Sequence, residues 1–228
     1  MKSNQRTGRI VGFLLLLIMA LGIPSVVLRG LSTSMVVSPD FLNEIFQNSM
    51  QMRASVLLDM LASVSWIIMA IMLFPMIKQY KNSFALWFFG IWLVQFTIII
   101  TSDVTHLSLI SLSEAFVNTE ATDNEYFTTL GLLKIEEYFW AHFMGLMLFA
   151  AATFSFYYFL FQTRLVPRFL SGWGMLAISL VFVACWLNIF DQRVSFYFFS
   201  QNGLHIIVLT GWLIAKGFNS NKTAVVPT

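Results

Sequence analysis

Asp103 and His106 stand three residues apart in "SDVTHLSLIS", residues 102–111. This segment closes an apolar run that opens at Phe84 with "FALWFFGIWLVQFTIII" and carries no charge before Asp103. On a helix, that spacing puts both side chains on one face, a turn apart. A carboxylate beside an imidazole has a short menu of chemistry: proton exchange, general base catalysis or metal ligation. Asp59 and His142 bring the same groups from other apolar runs. Together Asp59, Asp103, His106 and His142 make a mixed oxygen and nitrogen donor set for a divalent metal such as zinc. An open ligand position there would activate water, with a lipid headgroup as the natural substrate. Asp103 and His106 are the catalytic candidates in that scheme. The same groups also suit a proton-coupled binding site, where carboxylate and imidazole exchange protons as cargo moves. Ser63, Gln95, Asn188, Asn202 and His205 join Asp59 as binding candidates.

The elements that carry these residues must be membrane helices. The 228 residues are 58% hydrophobic and 11% charged, with mean hydropathy +0.77. A soluble domain is nearer half apolar and a quarter charged, so too few polar side chains remain here to cover a water-soluble globule. The natural solvent is lipid, and 24 Phe and 7 Trp fit it. A net charge of +2 with no basic cluster gives nucleic acid nothing to bind. Cys185 is the single cysteine, which excludes an intrachain disulfide and any cysteine-based metal site.

A helix needs about 20 apolar residues to cross the hydrocarbon core. Six stretches qualify, at residues 10–28, 54–77, 84–112, 138–162, 169–190 and 196–215, which predicts one all-α bundle domain over 1–228. Nine of the 13 Lys and Arg flank these spans on one side: Lys2, Arg6, Arg9, Lys78, Lys81, Arg164, Arg168, Lys216 and Lys222. Arg29, Arg53, Lys134 and Arg193 fall on the other. Both termini are therefore expected in the cytoplasm of a multi-pass plasma-membrane protein. The acids outside the spans, Glu120 and Asp123 among them, all lie in or beside the outer loops. That gives the outer face a negative potential. The basic start followed by "VGFLLLLIMALGI" is also leader-like, but no small-x-small cleavage site follows, so the first helix is expected to stay.

Counting from each cytoplasmic charge at about 1.5 Å per residue sets depths. Asp59 lies roughly 28 Å up, Asp103 roughly 33 Å, His106 roughly 37 Å, His142 roughly 33 Å and Asn188 roughly 30 Å, which is one outer layer. His205, at roughly 16 Å, sits near the midplane, with Gln95 and Asn202 as its expected neighbours. Polar residues share faces: Ser55, Asp59 and Ser63; Gln95, Ser102, Asp103 and His106; Tyr138, His142 and Gly145; Gln201 and His205. Asp59 has Arg53, Ser55 and Ser63 as possible satisfying partners, and His205 has Gln201 or a backbone carbonyl.

Two long outer loops are expected, Gly30–Arg53 and Ser113–Glu137. In the first, Ser38 or Asp40 would cap a short helix with Phe41, Ile45 and Met52 on its apolar side. Cytoplasmic connections are short and hold no nucleotide motif.

The segment "HFMGLMLFAAATFSFYYFLFQTRLVPRFLSGWGMLAI", residues 142–178, passes from a His-Gly helix through the basic turn Arg164 to Arg168 into a Gly-rich helix. With "GWLIAKGF" at 211–218 and "FPMIKQYKNSFALWFF" at 74–89, it resembles the bacterial membrane-protein family catalogued as domain of unknown function 4386. That family often has Leu-Gly where Ser171-Gly172 stands here. The resemblance implies a multi-helix bacterial membrane protein and supplies no activity or catalytic residue. The residues themselves point to binding of a small polar or lipid-headgroup ligand in a pocket near the outer face, in one form a metal-dependent hydrolase. A small transporter, a sensing subunit and a partner-binding membrane protein are the alternatives.

Overall fold

The computed structural model describes residues 2–30, 38, 40–118, 124–192, 194–195 and 197–219. Seven α-helices account for nearly all of them, and no strand occurs among the described residues. They are α1 (Lys2–Arg29), α2 (Phe41–Gln47), α3 (Ser49–Tyr80), α4 (Asn82–Asn118), α5 (Asn124–Thr163), α6 (Arg168–Ile189) and α7 (Tyr197–Lys216). Six of the seven are long and apolar enough to cross a membrane. A helix satisfies its backbone polar groups within itself, which makes it the affordable form for an apolar segment in lipid. Large apolar side chains stand exposed along these helices, with Val27 of α1 at 71% and Leu176 of α6 at 72%. Such extensive apolar exposure suits acyl chains and not water.

The six expected spans are all present, but the helices run past them. Helix α4 continues beyond Leu112 to Asn118, and α5 starts at Asn124 instead of near Tyr138. Most of the expected loop Ser113–Glu137 is therefore helix, and Glu120 and Asp123 lie outside the described residues. Arg193, Lys222 and the expected first residue of the last span, Phe196, also lie outside them. At about 1.5 Å per residue α4 and α5 reach roughly 55 and 60 Å, nearly twice a hydrocarbon core of about 30 Å.

The chain forms two compact units. One comprises Met19–Ser63 and Thr97–Phe143; the other comprises Met1–Ile18, Val64–Phe96 and Met144–Thr228. In the first, α2 forms in the expected place and buries Phe41, Leu42 and Ile45. These pack with Met52 of α3, Leu109 and Ile110 of α4, and Ile135 and Tyr138 of α5. Gly131 makes room for this: a Cβ there would lie 2.8 Å from Phe41 Cζ. The expected side-chain cap is not formed, since Asp40 occupies the cap position without a capping hydrogen bond and Ser38 Oγ accepts from the Asp40 amide instead, at 3.2 Å.

The second unit is held by aromatic rings and glycine contacts. Trp66 stacks on Trp92 with centroids 4.7 Å apart, and Phe149 meets both edge-on. Gly8 and Gly12 of α1 lie against Phe218 and Ile214, so close that a Cβ at Gly12 would be 2.9 Å from the Ile214 amide nitrogen. Their i, i+4 spacing is the small-xxx-small pattern that lets helices approach in lipid. Helix α6 presents Leu170, Gly174, Ala177, Ile178, Val181, Ala184 and Cys185 inward at helical spacing, and α7 answers with Asn202, His205, Leu209 and Leu213.

Candidate functional site

The polar residues of the first unit gather around a side chain whose position at the end of an apolar run places it outside the site. Arg29, the last residue of α1, is only 4% exposed. Its Nη1 donates to the Tyr138 hydroxyl at 2.5 Å. Its Nη2 donates to Ser25 Oγ at 3.3 Å and pairs with the Asp59 carboxylate. Asp103 Oδ1 lies 3.7 Å from the same nitrogen. Ser25, one turn back along α1, donates its own hydroxyl to the Ser55 carbonyl at 3.0 Å, which ties α1 to α3. Gly30, at φ +73, ends the helix directly after Arg29 in the left-handed conformation that glycine adopts without steric cost.

The Tyr138 ring joins the two histidines to this network. His142 stacks on it with centroids 5.7 Å apart, and His106 lies tilted at 5.8 Å. The Arg29 guanidinium carbon is 5.3 Å from the same ring centre. Asp59, Asp103, His106 and His142 thus lie in one unit, while Asn188, counted into the same layer, lies in the other. Asp59 pairs with Arg29 and not with Arg53, which instead bonds Glu114 at 2.7 Å in an exposed pair. Ser63 is buried in the same unit.

Several of these groups are buried without hydrogen bonds. Asp103 is 3% exposed and neither carboxylate oxygen has a hydrogen-bond partner. His106 is fully buried with both ring nitrogens unbonded, and Ser102 Oγ beside it is unbonded too. Arg29 Nε and His142 Nδ1 complete the set. An unmet polar group costs roughly 1–3 kcal/mol once buried. The five groups lie in the same unit.

The metal arrangement expected of Asp59, Asp103, His106 and His142 is not formed: among the described residues no three His, Cys, Asp or Glu side chains are grouped to hold an ion. The positive charge facing the two carboxylates is Arg29. Residue counting assigned Arg29 to an outer loop because it ends its apolar run. Two intramembrane carboxylates with no cation inside any span were the available signal for it.

The other candidates belong to the second unit. Asn188 is half-buried and turns its amide back to the Ala184 carbonyl at 2.8 Å, within its own helix. His205 Nε2 meets the Leu170 carbonyl at 2.9 Å, the backbone partner foreseen for it, while Gln201 is exposed. Asn202 accepts from the Tyr157 hydroxyl at 3.4 Å, and the Tyr157 ring contacts His205 edge-on at 4.6 Å. Tyr157 is therefore the residue linking Asn202 to His205, and its place within "FSFYYFLF" gave no sign of that. Gln95 is buried with Oε1 unbonded.

Six apolar helices and a buried ion network define a helical multi-pass membrane protein. The chain belongs to the family described as domain of unknown function 4386, which matches residues 10–217. Curated proteins and solved structures give no match.

Proposed function

We propose that this membrane protein binds a small polar or lipid-headgroup ligand at the Arg29–Asp59–Asp103–His106–Tyr138–His142 centre. The observation that carries the reading is the fully buried His106 with both nitrogens free, one turn from an Asp103 whose oxygens accept no hydrogen bond. Buried polar groups left unpaired reduce stability, and sites that do so are kept for what they bind. Asp59 supports an entry point, because its side chain is 21% exposed against 5% for those of Arg29 and Asp103. The concentration of Lys and Arg at the opposite helix ends supports an outward-facing site in a plasma membrane. Transport, sensing and hydrolysis all begin with such a binding step. The metal-dependent form lacks support from the arrangement of ligands, since among the described residues no three His, Cys, Asp or Glu side chains are grouped to hold an ion.

The test is thermal unfolding of the purified full chain in detergent, titrated separately with phosphate, glycerol, glycine and ethanolamine. Saturable stabilisation by at least one of them is expected, lost in His106→Phe while that variant unfolds at the same or higher temperature. A wild-type chain indifferent to all four would end the reading.

A further inference from the structure

We propose that this centre receives a primary ammonium group, held by Asp103 and His106. The proposal rests on the ligand-binding reading above and names its chemistry. Among the described residues Arg29 is the cation that faces the two carboxylates. Asp59 takes a direct hydrogen bond from the guanidinium, whereas Asp103 lies 3.7 Å from the same nitrogen, beside the Asp59 carboxylate. Two carboxylates thus share one guanidinium, and the carboxylate oxygens left without a hydrogen bond are those of Asp103.

An ammonium carries three N–H donors and accepts nothing. Asp103 offers two unbonded oxygens, and His106 offers a third acceptor. A neutral imidazole has one donor and one acceptor nitrogen, and both of His106 are unbonded, so either tautomer leaves an acceptor free. Donor and acceptor counts match. Other headgroup chemistries match less well. A phosphate would bring negative charge to a carboxylate-rich site whose guanidinium already serves Tyr138, Ser25 and Asp59. A quaternary ammonium has the charge but no N–H to give Asp103. A divalent metal finds no group of three side chains among the described residues.

The ammonium could come from an aminoethyl lipid headgroup or from a free small amine, and the experiment separates them. The full chain, purified in detergent free of amine lipids, is titrated with ethanolamine and with choline by calorimetry. Ethanolamine is expected to bind at least about tenfold more tightly than choline, a difference of about 1.4 kcal/mol. Asp103→Asn should weaken ethanolamine by about tenfold or more, and Arg53→Gln, which alters only the exposed pair with Glu114, should leave it unchanged. Where Asp103→Asn does not fold, His106→Leu, which removes the third acceptor, and the wild-type preference carry the test. Repeating the titration in phosphatidylcholine nanodiscs with and without phosphatidylethanolamine identifies the source. Loss of free-ethanolamine binding in the second lipid means the headgroup occupies the site; undiminished binding means a free amine does. Equal affinity for ethanolamine and choline, or ethanolamine binding untouched by both variants, overturns the ammonium assignment. If phosphate or glycerol still binds, the site survives and only its chemistry was misjudged; if nothing binds, the wider reading falls with it.

Discussion

Arg29 is the residue on which the polar centre depends. Removing one partner of a buried ion pair leaves an uncompensated charge and typically costs about 3–5 kcal/mol. Arg29→Met is expected to lose that much, read as thermal or denaturant unfolding in detergent. Asp59→Asn should lose less, because the guanidinium still has Asp103 at 3.7 Å. A double-mutant cycle of the two positions measures their coupling, and additive losses would mean the pair contributes nothing. Asp59, Asp103, His106 and His142 were legible from the sequence, since ionisable groups in apolar runs are rare and costly. Their partner was not. Arg29 closes its span, and a charge at a span's end reads as a flank until three-dimensional packing folds it inward. His205 shows the opposite outcome. It stood out equally by type, and the fold satisfies it with the Leu170 carbonyl.

Among the elements, α6 and α7 depend on one missing methyl group. A Cβ at Gly174 would lie 2.5 Å from His205 Cε1 and 2.9 Å from Tyr157 Cδ2. Gly174→Ala is expected to destabilise by about 1–3 kcal/mol through overpacking, and adding His205→Ala should return part of that loss. Equal destabilisation by the single and double variants would show that the two residues do not share the space. Helix α2 gives a second check. Phe41→Ala empties the cluster under Gly131 and should cost about 3–5 kcal/mol. The six spans were readable because hydropathy is a strong, length-dependent signal. The stretches of α4 and α5 beyond their expected spans were not, because Glu114, Glu125, Lys134, Glu136 and Glu137 break the apolar pattern without breaking the helix. Glu, Lys and Leu are good helix formers, so the chain keeps its hydrogen bonds where it leaves the expected apolar span.

For the whole molecule, the charge asymmetry predicts an orientation that labelling can test. In a Cys185→Ser background, Glu44→Cys should react with a membrane-impermeant maleimide on intact cells, and Lys81→Cys only after permeabilisation. The reverse pattern would invert the topology and place the Arg29 centre on the cytoplasmic side. The family assignment was visible in the basic turn at Arg164 and the closing "GWLIAKGF", and the match over residues 10–217 bears it out. The ion pair of the first helix has one more consequence, for the order of manufacture. Translation makes Arg29 before Asp59, and Asp59 before Asp103. Each carboxylate leaves the ribosome after the cation that it will face. A chain that inserts its helices in order would thus have the counter-ion in place before either acid arrives, and a chain deprived of it would have to place two acids in lipid unaccompanied.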